Sequence, residues 1–522
     1  LEGRVPVLHF FDGFRTSHEV SKVEVVTEEM LRQLIDMERV RECRNRALSP
    51  DHPVVRGTSQ NPDIFFQARE ACNPYYDAFP EIVQQAMNRC AEVTGRQYQL
   101  YEYEGAADAE SVIILMGSGA ETASEAVDYI NRNGGKTGVL KVRLFRPFDA
   151  PRLLNALPDS VKQIAVLDRT KEPGADGEPL YKDIATAFMQ SILSGKLAAD
   201  KLPKLLGGRF GLSSKEFTPV MIRGVFDELA KPQSKNLFTV GIDDDLTHTS
   251  ISYDPHFITD AHHDAYQAVF YGLGADGTVS ANKNSIKIIG DQEGYYAQGH
   301  FVYDSKKSGA VTVSHLRFGP HKIHSAYEIQ EGQADFVACH QPRFLSLYPM
   351  LDKARHGAVF LLNSSASPDE LWDTLPESVQ QQLIEKQIRL FAIDAYRVAT
   401  ECGLGKRINT IMQSCFFKIS GILPLDKAIT LIKGAVEKSY SSNPEVVGLN
   451  LNAIDASLSH LHEIRIHDRA TSRIPMHELS ANTANAFLRQ LTADLIHGHD
   501  HWVPVSSPLR DCARATGHPS FG

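Results

Sequence analysis

The sequence predicts an α/β protein of more than one domain, with parallel or mixed sheets covered by helices. Short apolar runs recur along it, such as Ser-Val-Ile-Ile-Leu-Met at 111–116 and Ala-Val-Phe-Leu-Leu at 358–362. Glycine-containing turns close several of these runs and amphipathic stretches follow them, the strand–turn–helix rhythm of a parallel sheet with covering helices. The chain has 522 residues, enough for roughly two to four domains.

Composition narrows the class. With 42% hydrophobic and 23% charged residues, each domain can bury an ordinary core. A net charge of −10 gives no electrostatic reason to expect nucleic acid or an anionic membrane surface as a partner. The seven cysteines (Cys43, Cys72, Cys90, Cys339, Cys402, Cys415, Cys512) are scattered and never form C-x-x-C. That spacing excludes a disulfide framework or an iron–sulfur ligand run and fits a reducing, cytoplasmic setting. No apolar stretch approaches the roughly 18 to 20 residues that span a bilayer. The start, Leu-Glu-Gly-Arg-Val-Pro, shows neither an initiator Met nor a signal pattern. It opens into an apolar run at 5–11 that reads as a strand already under way, so an internal piece of a larger protein is expected.

The elements follow in order. Residues 27–44 read as one amphipathic helix, with Thr27 as N-cap and Glu28 and Glu29 in its first turn. The proline-rich run 49–62 reads as a linker. A helix at 80–94 precedes strands at 98–103 and 111–116. The turn Gly117-Ser118-Gly119 leads to a helix at 121–133, then strands at 138–144 and 163–168. After a linker at 231–235, strands are expected at 236–242 and 266–271. The glycine run 272–277 then enters a helix through residue 289. Strands at 310–314, 336–338, 358–362 and 390–393 and a helical region at 424–461 complete the reading, with no internal repeat.

The run Gly-Leu-Gly-Ala-Asp-Gly at 272–277 is a G-x-G-x-x-G between a strand and a helix. Such glycines let backbone N–H groups approach a phosphate at the positive end of a helix, or simply let helix and sheet pack closely. Asp291 stands near the distance of a dinucleotide ribose contact, but after the helix rather than at the end of a second strand. Lys283, in the helix, can pair with a phosphate or merely be solvated. Asn363 ends a strand, where open sheets bind ligands, and Asn409 follows a glycine-rich turn; each is also an ordinary turn residue. The turn at Gly117 reads as packing, and Asp243, Asp244 and Asp245 read as a solvated turn. His497, His499 and His501 alternate in the tail and are not read as a metal site. A thiamine diphosphate–magnesium signature, a P-loop and a nucleophile elbow are all missing, so no catalytic residue or metal ligand is assigned.

Longer motifs carry a family resemblance. Residues 8–19 (Leu-His-Phe-Phe-Asp-Gly-Phe-Arg-Thr-Ser-His-Glu), 55–63, 69–76, 166–175, 208–217, 272–290, 303–309, 314–319 and 407–413 resemble the pyruvate:ferredoxin (flavodoxin) oxidoreductase family. The motifs are collinear from Leu8 to about Thr492. The resemblance implies oxidative decarboxylation of pyruvate with coenzyme A to acetyl-CoA and CO₂, with electrons passed to ferredoxin or flavodoxin. It implies thiamine diphosphate, Mg²⁺ and [4Fe-4S] clusters in a complete enzyme that is a homodimer, with their ligands outside this chain. It divides the chain into 1–62 (end of the pyrimidine-side thiamine domain plus linker), 63–232 (transketolase C-terminal-like), 233–465 (2-oxoacid oxidoreductase gamma-type, coenzyme A-holding) and 466–522 (linker and divergent tail). Carried over by position, the coenzyme A contacts are Ser250, Ile251, Ser252, Tyr253, Asp254, Pro255, Lys283, Asn363 and Asn409. The stretch 497–522 departs from the family pattern. The competing readings are an orphan coenzyme A-binding or assembly module without redox activity, and an unrelated nicotinamide dehydrogenase.

Overall fold

The computed structural model describes residues 1–522 except 52, 54–58, 275, 304–310, 326, 477–502 and 507–522. The motif at 303–309, the alternating histidines and Cys512 therefore lie wholly or largely outside the described residues. The chain divides into two compact units. Unit 1 comprises Leu1–Asp12, Val23–Val240 and Ile251–Ile258; unit 2 comprises Gly13–Lys22, Gly241–Ser250 and Thr259–Gly522. Both are α/β, each built on one sheet with helices on its two faces. Among the described residues no helix is long and apolar enough to cross a membrane.

The chain's first strand, β1 (Glu19–Ser21), belongs to unit 2. Unit 1 holds β2 (Tyr101–Gly105), β3 (Ser111–Leu115), β4 (Thr137–Val142), β5 (Gln163–Asp168), β6 (Lys204–Arg209) and β7 (Phe238–Thr239). Their order is β2-β4-β3-β5-β6-β7, with β2 antiparallel and the rest parallel. Strands buried on both faces read as continuous apolar runs, which is why β3 and β5 stand out in the sequence. Ile113, Leu115, Ala165 and Leu167 pack on one face with the helices Gly119–Arg132 and Pro219–Ala230. Val112, Ile114, Ile164 and Val166 pack on the other with Leu180, Ile184 and Phe188 of the helix Pro179–Leu193.

Unit 2 holds β8 (Tyr266–Leu273), β9 (Tyr296–Tyr303), β10 (Val311–Gly319), β11 (Ala334–Cys339), β12 (Ala354–Asn363), β13 (Arg389–Ile393) and β14 (His462–Ile464). With β1 they form a mixed sheet in the order β1-β9-β10-β8-β11-β12-β13-β14, parallel only from β8 through β13. Ala268, Phe270, Phe336 and Leu361 face the helices Thr278–Gly290 and Asn409–Ser420, whereas Val269, Val337 and Phe360 face Leu371, Trp372 and the helix Glu377–Glu385.

Several expectations need correction. Residues 5–11 form no strand, and Val7, Leu8, Phe10 and Phe11 are exposed. An apolar run becomes a strand only where a neighbour accepts its backbone hydrogen bonds. The helix expected at 27–44 is two, Glu28–Leu34 and Met37–Asn45. Thr27 does cap the first, accepting from Met30 N, but the Asp36 side chain accepts from Glu38 N and Arg39 N and starts the second. The next helix runs Asn73–Thr94 rather than from 80, with Pro80 inside it and buried beside Phe79. The run at 236–242 yields only β7, the last strand of the first sheet, paired Gly208 to Phe238. The aspartate run is not wholly solvated. Asp244 is buried and accepts hydrogen bonds from Leu246 N, Thr247 and Thr249. Burial raises its pKa, but the bonds from Thr247 and Thr249 outweigh that and hold the carboxyl well below the usual range.

Candidate functional site

In unit 2 the connections after β8 and β11 leave for opposite faces. β8 leads into the Thr278–Gly290 helix, which packs on the face of Phe270, while β11 leads toward Phe344 and Leu345 on the face of Val269. The two strands are parallel neighbours, so their carboxyl ends flank the crevice where open α/β sheets receive ligands.

The glycine run lies here, though Gly272 is still a strand residue. A Cβ on it would stand 2.4 Å from Thr278 Oγ1, so this glycine serves close strand–helix packing. Gly277 takes φ +85°, the left-handed region, and a Cβ there would meet the Asn409 side chain at 3.0 Å. Between them Asp276 turns back on the chain. Its carboxylate accepts from Leu273 N (2.8 Å) and Thr278 N (2.9 Å), so the positive end of the helix already holds an anion of its own.

Around the turn stand residues that sequence reasoning did not select. His340 follows β11, is buried, and pairs its Nδ1 with Thr278 Oγ1 at 2.7 Å. Burial pushes its pKa down to about 4, against the opposing pull of the Asp276 charge, so the imidazole is neutral near pH 7. Its Nε2 is buried without a partner, as is Asn282 Nδ2, one turn along the helix from Thr278 and on the same face. Gln341 donates to the Tyr396 hydroxyl at 2.6 Å. The signal that marked Asn363, a polar residue closing an apolar strand, was equally present at His340 and Gln341 after Phe336-Val-Ala-Cys339.

The predicted contacts divide. Asn363 closes β12, fully buried; its amide donates to His340 O (3.0 Å) and its carbonyl accepts from Ala395 N (3.0 Å). It thereby clamps the ends of β11 and β12 to the helix Ala395–Glu401. Asn409 opens its helix beside Gly277, whereas Asn363 is linked to the start of the Thr278–Gly290 helix through His340, whose ring bonds Thr278. Lys283 is exposed, five residues after the helix begins, with its ammonium 5.4 Å over the Phe301 ring. The predicted loop splits. Ser250 lies in unit 2, where its hydroxyl accepts from Asp244 N (2.7 Å), whereas Ile251, Ser252, Tyr253, Asp254 and Pro255 lie in unit 1. There Ile251 N donates to Thr239 O and Asp254 accepts from His256 N.

Three family models match the chain in order. "Pyruvate flavodoxin/ferredoxin oxidoreductase, thiamine diP-bdg" matches residues 1–88, "Pyruvate:ferredoxin oxidoreductase core domain II" matches 109–209, and "Pyruvate ferredoxin/flavodoxin oxidoreductase" matches 267–459. The chain is 55% identical to the pyruvate-flavodoxin oxidoreductase of Nostoc sp., over 99% of its own length and 44% of that protein's. It is 52% identical to the pyruvate-flavodoxin oxidoreductase of Trichormus variabilis, over 99% of this chain and 43% of the relative. With the pyruvate:ferredoxin oxidoreductase of Moorella thermoacetica the identity is 51%, over 89% of this chain and 39% of that one. The chain thus spans about two fifths of the length of the curated relatives it matches. With three collinear models and relatives half identical along nearly all of it, the chain belongs to the pyruvate ferredoxin/flavodoxin oxidoreductase family.

Proposed function

We propose that the chain is part of an enzyme that oxidatively decarboxylates pyruvate with coenzyme A to acetyl-CoA and CO₂, passing electrons to ferredoxin or flavodoxin. Its own task in that reaction is to hold coenzyme A. The observation that supports this is the crevice between β8 and β11, where a left-handed glycine, Asn409 and the buried, unpartnered Nε2 of His340 and Nδ2 of Asn282 lie close along the chain and the sheet.

The chemistry is then distributed by charge. Asp276 fills the helix's positive end, so a diphosphate takes its cation from Lys283 rather than from the first N–H of the helix. Asn409 and the second hydrogen and lone pair of Asn363 supply neutral contacts. Thiamine diphosphate stabilises the carbanion and [4Fe-4S] clusters remove electrons singly in a complete enzyme of this class. Among the described residues no three His, Cys, Asp or Glu side chains gather to hold a metal, and the described cysteines are separate free thiols. No redox step is therefore assigned to the described residues. On this reading 63–232 is the transketolase C-terminal-like domain and 233–465 the gamma-type domain, in a cytoplasmic enzyme that is a homodimer when complete.

Isothermal titration of the chain with coenzyme A and with NAD tests the ligand. Coenzyme A binds, and Lys283→Ala weakens it roughly 3- to 10-fold, as expected for one exposed phosphate contact. Tighter binding of NAD than of coenzyme A overturns the assignment.

A further inference from the structure

Unit 1 contains a second crevice of the same topological kind. β3 and β5 are parallel neighbours. The helix that follows β3, Gly119–Arg132, packs on the face of Ile113, and the helix that follows β5, Pro179–Leu193, packs on the face of Val112. The connections therefore part at the carboxyl ends of β3 and β5, where an open sheet offers a ligand its opening. Gly117, Ser118 and Gly119 line it from β3, and Arg169 lines it from β5.

A carboxylate already sits there. Asp12 Oδ2 accepts from Ser118 N at 2.5 Å and pairs with Arg169 Nη1 at 3.0 Å, although Asp12 and Ser118 are 106 residues apart. Gly117 has φ +80°, and a Cβ on it would stand 2.7 Å from the same oxygen, so glycine is what lets the carboxylate approach. Arg169 is held in place independently. Its Nε donates to Gly211 O at 2.7 Å, its Nη1 to Ser118 Oγ at 3.2 Å, and its guanidinium lies 5.9 Å from the Phe210 ring centroid. Gly211, at φ +60°, makes room for that pose, since a Cβ there would stand 3.0 Å from Arg169 Nε. The two charged side chains are 16% and 19% exposed.

We propose that this crevice is a carboxylate-binding site whose occupant is the chain's own Asp12, and that it takes up a small free carboxylate, of the acetate or formate class, when that side chain is removed. Arg169 and Ser118 N–H are fixed by contacts that do not involve Asp12, so the seat persists without it. A half-buried guanidinium that has lost the Asp12 charge then favours an anion of fitting shape. The site is separate from the coenzyme A reading and stands or falls without it.

The test is Asp12→Ala in the full chain, titrated with sodium acetate against sodium chloride at equal ionic strength near pH 7. The thermal midpoint of the variant rises with acetate and not with chloride, as binding to the folded state requires. ¹³C-acetate line broadening reports binding directly. Wild type shows neither effect, and Asp12→Ala combined with Arg169→Gln weakens acetate at least 10-fold. Should Asp12→Ala not fold, Asp12→Ser keeps a hydrogen-bonding group while vacating the outer part of the seat, and the same broadening is read on it. Equal responses to acetate and chloride, or acetate binding that survives loss of Arg169, overturn the proposal.

Discussion

At the scale of single residues, the informative side chains are the buried polar ones. His340 is neutral because burial holds its pKa near 4, and His300 behaves alike, its pKa lowered to about 4 by burial and by the neighbouring Arg15 charge. Both depart from a free value of 6.5, so between those limits the unfolded chain binds protons that the folded unit 2 refuses. The stability they permit is fully present above pH 6.5 and is lost as pH falls toward 4. Each withdraws on the order of 3 kcal/mol over that range. Denaturant titrations at a series of pH values should therefore show a falling midpoint below pH 6.5, and replacing His300 with Gln should flatten that slope. An unchanged slope would refute the assignment.

At the scale of elements, the helix Thr278–Gly290 depends on the turn before it. Asp276 satisfies two backbone N–H groups at once, Leu273 and Thr278, so Asp276→Ala should lower stability by about 1–2 kcal/mol in urea unfolding. A loss within experimental error would mean that water replaces the carboxylate without cost. Elements whose sequence pattern matched their burial were legible: the strand expected at 163–168 is β5, and the run at 358–362 is the core of β12. β9 was not expected, because Gln298, Gly299 and His300 interrupt its apolar run. Those polar residues are buried through pairing, Gln298 opposite Arg317 and His300 opposite His315 on β10. Periodicity registers hydrophobicity, and it is blind to a strand buried by its partners' polar groups. The site was read in part for the same reason. Asn363 and Asn409 stand out by position, as His340 and Gln341 also do at the close of β11, while Tyr396 gains meaning only from its bond to Gln341.

At the scale of the whole molecule, several apolar side chains of unit 1 face outward among the described residues: Val7, Leu8 and Phe66 are 73%, 86% and 71% exposed. Apolar side chains so exposed favour association. The chain should sediment as species that enlarge with concentration, and Leu8→Ser with Phe66→Ser should reverse that; concentration-independent sedimentation would count against it. By itself the sequence determined the fold class, the apolar central strands of both sheets, the glycine turn and the family, because each is written in local patterns of size, polarity and turn chemistry or in long collinear motifs; β6 was not among them. Only the tertiary structure decided that β7 completes the first sheet, that His340 meets Thr278 at the start of its helix, and that Asp12 sits in the crevice between β3 and β5. Those contacts join residues far apart in the chain. A local pattern encodes which face a residue turns to the core, not which distant group will meet it there.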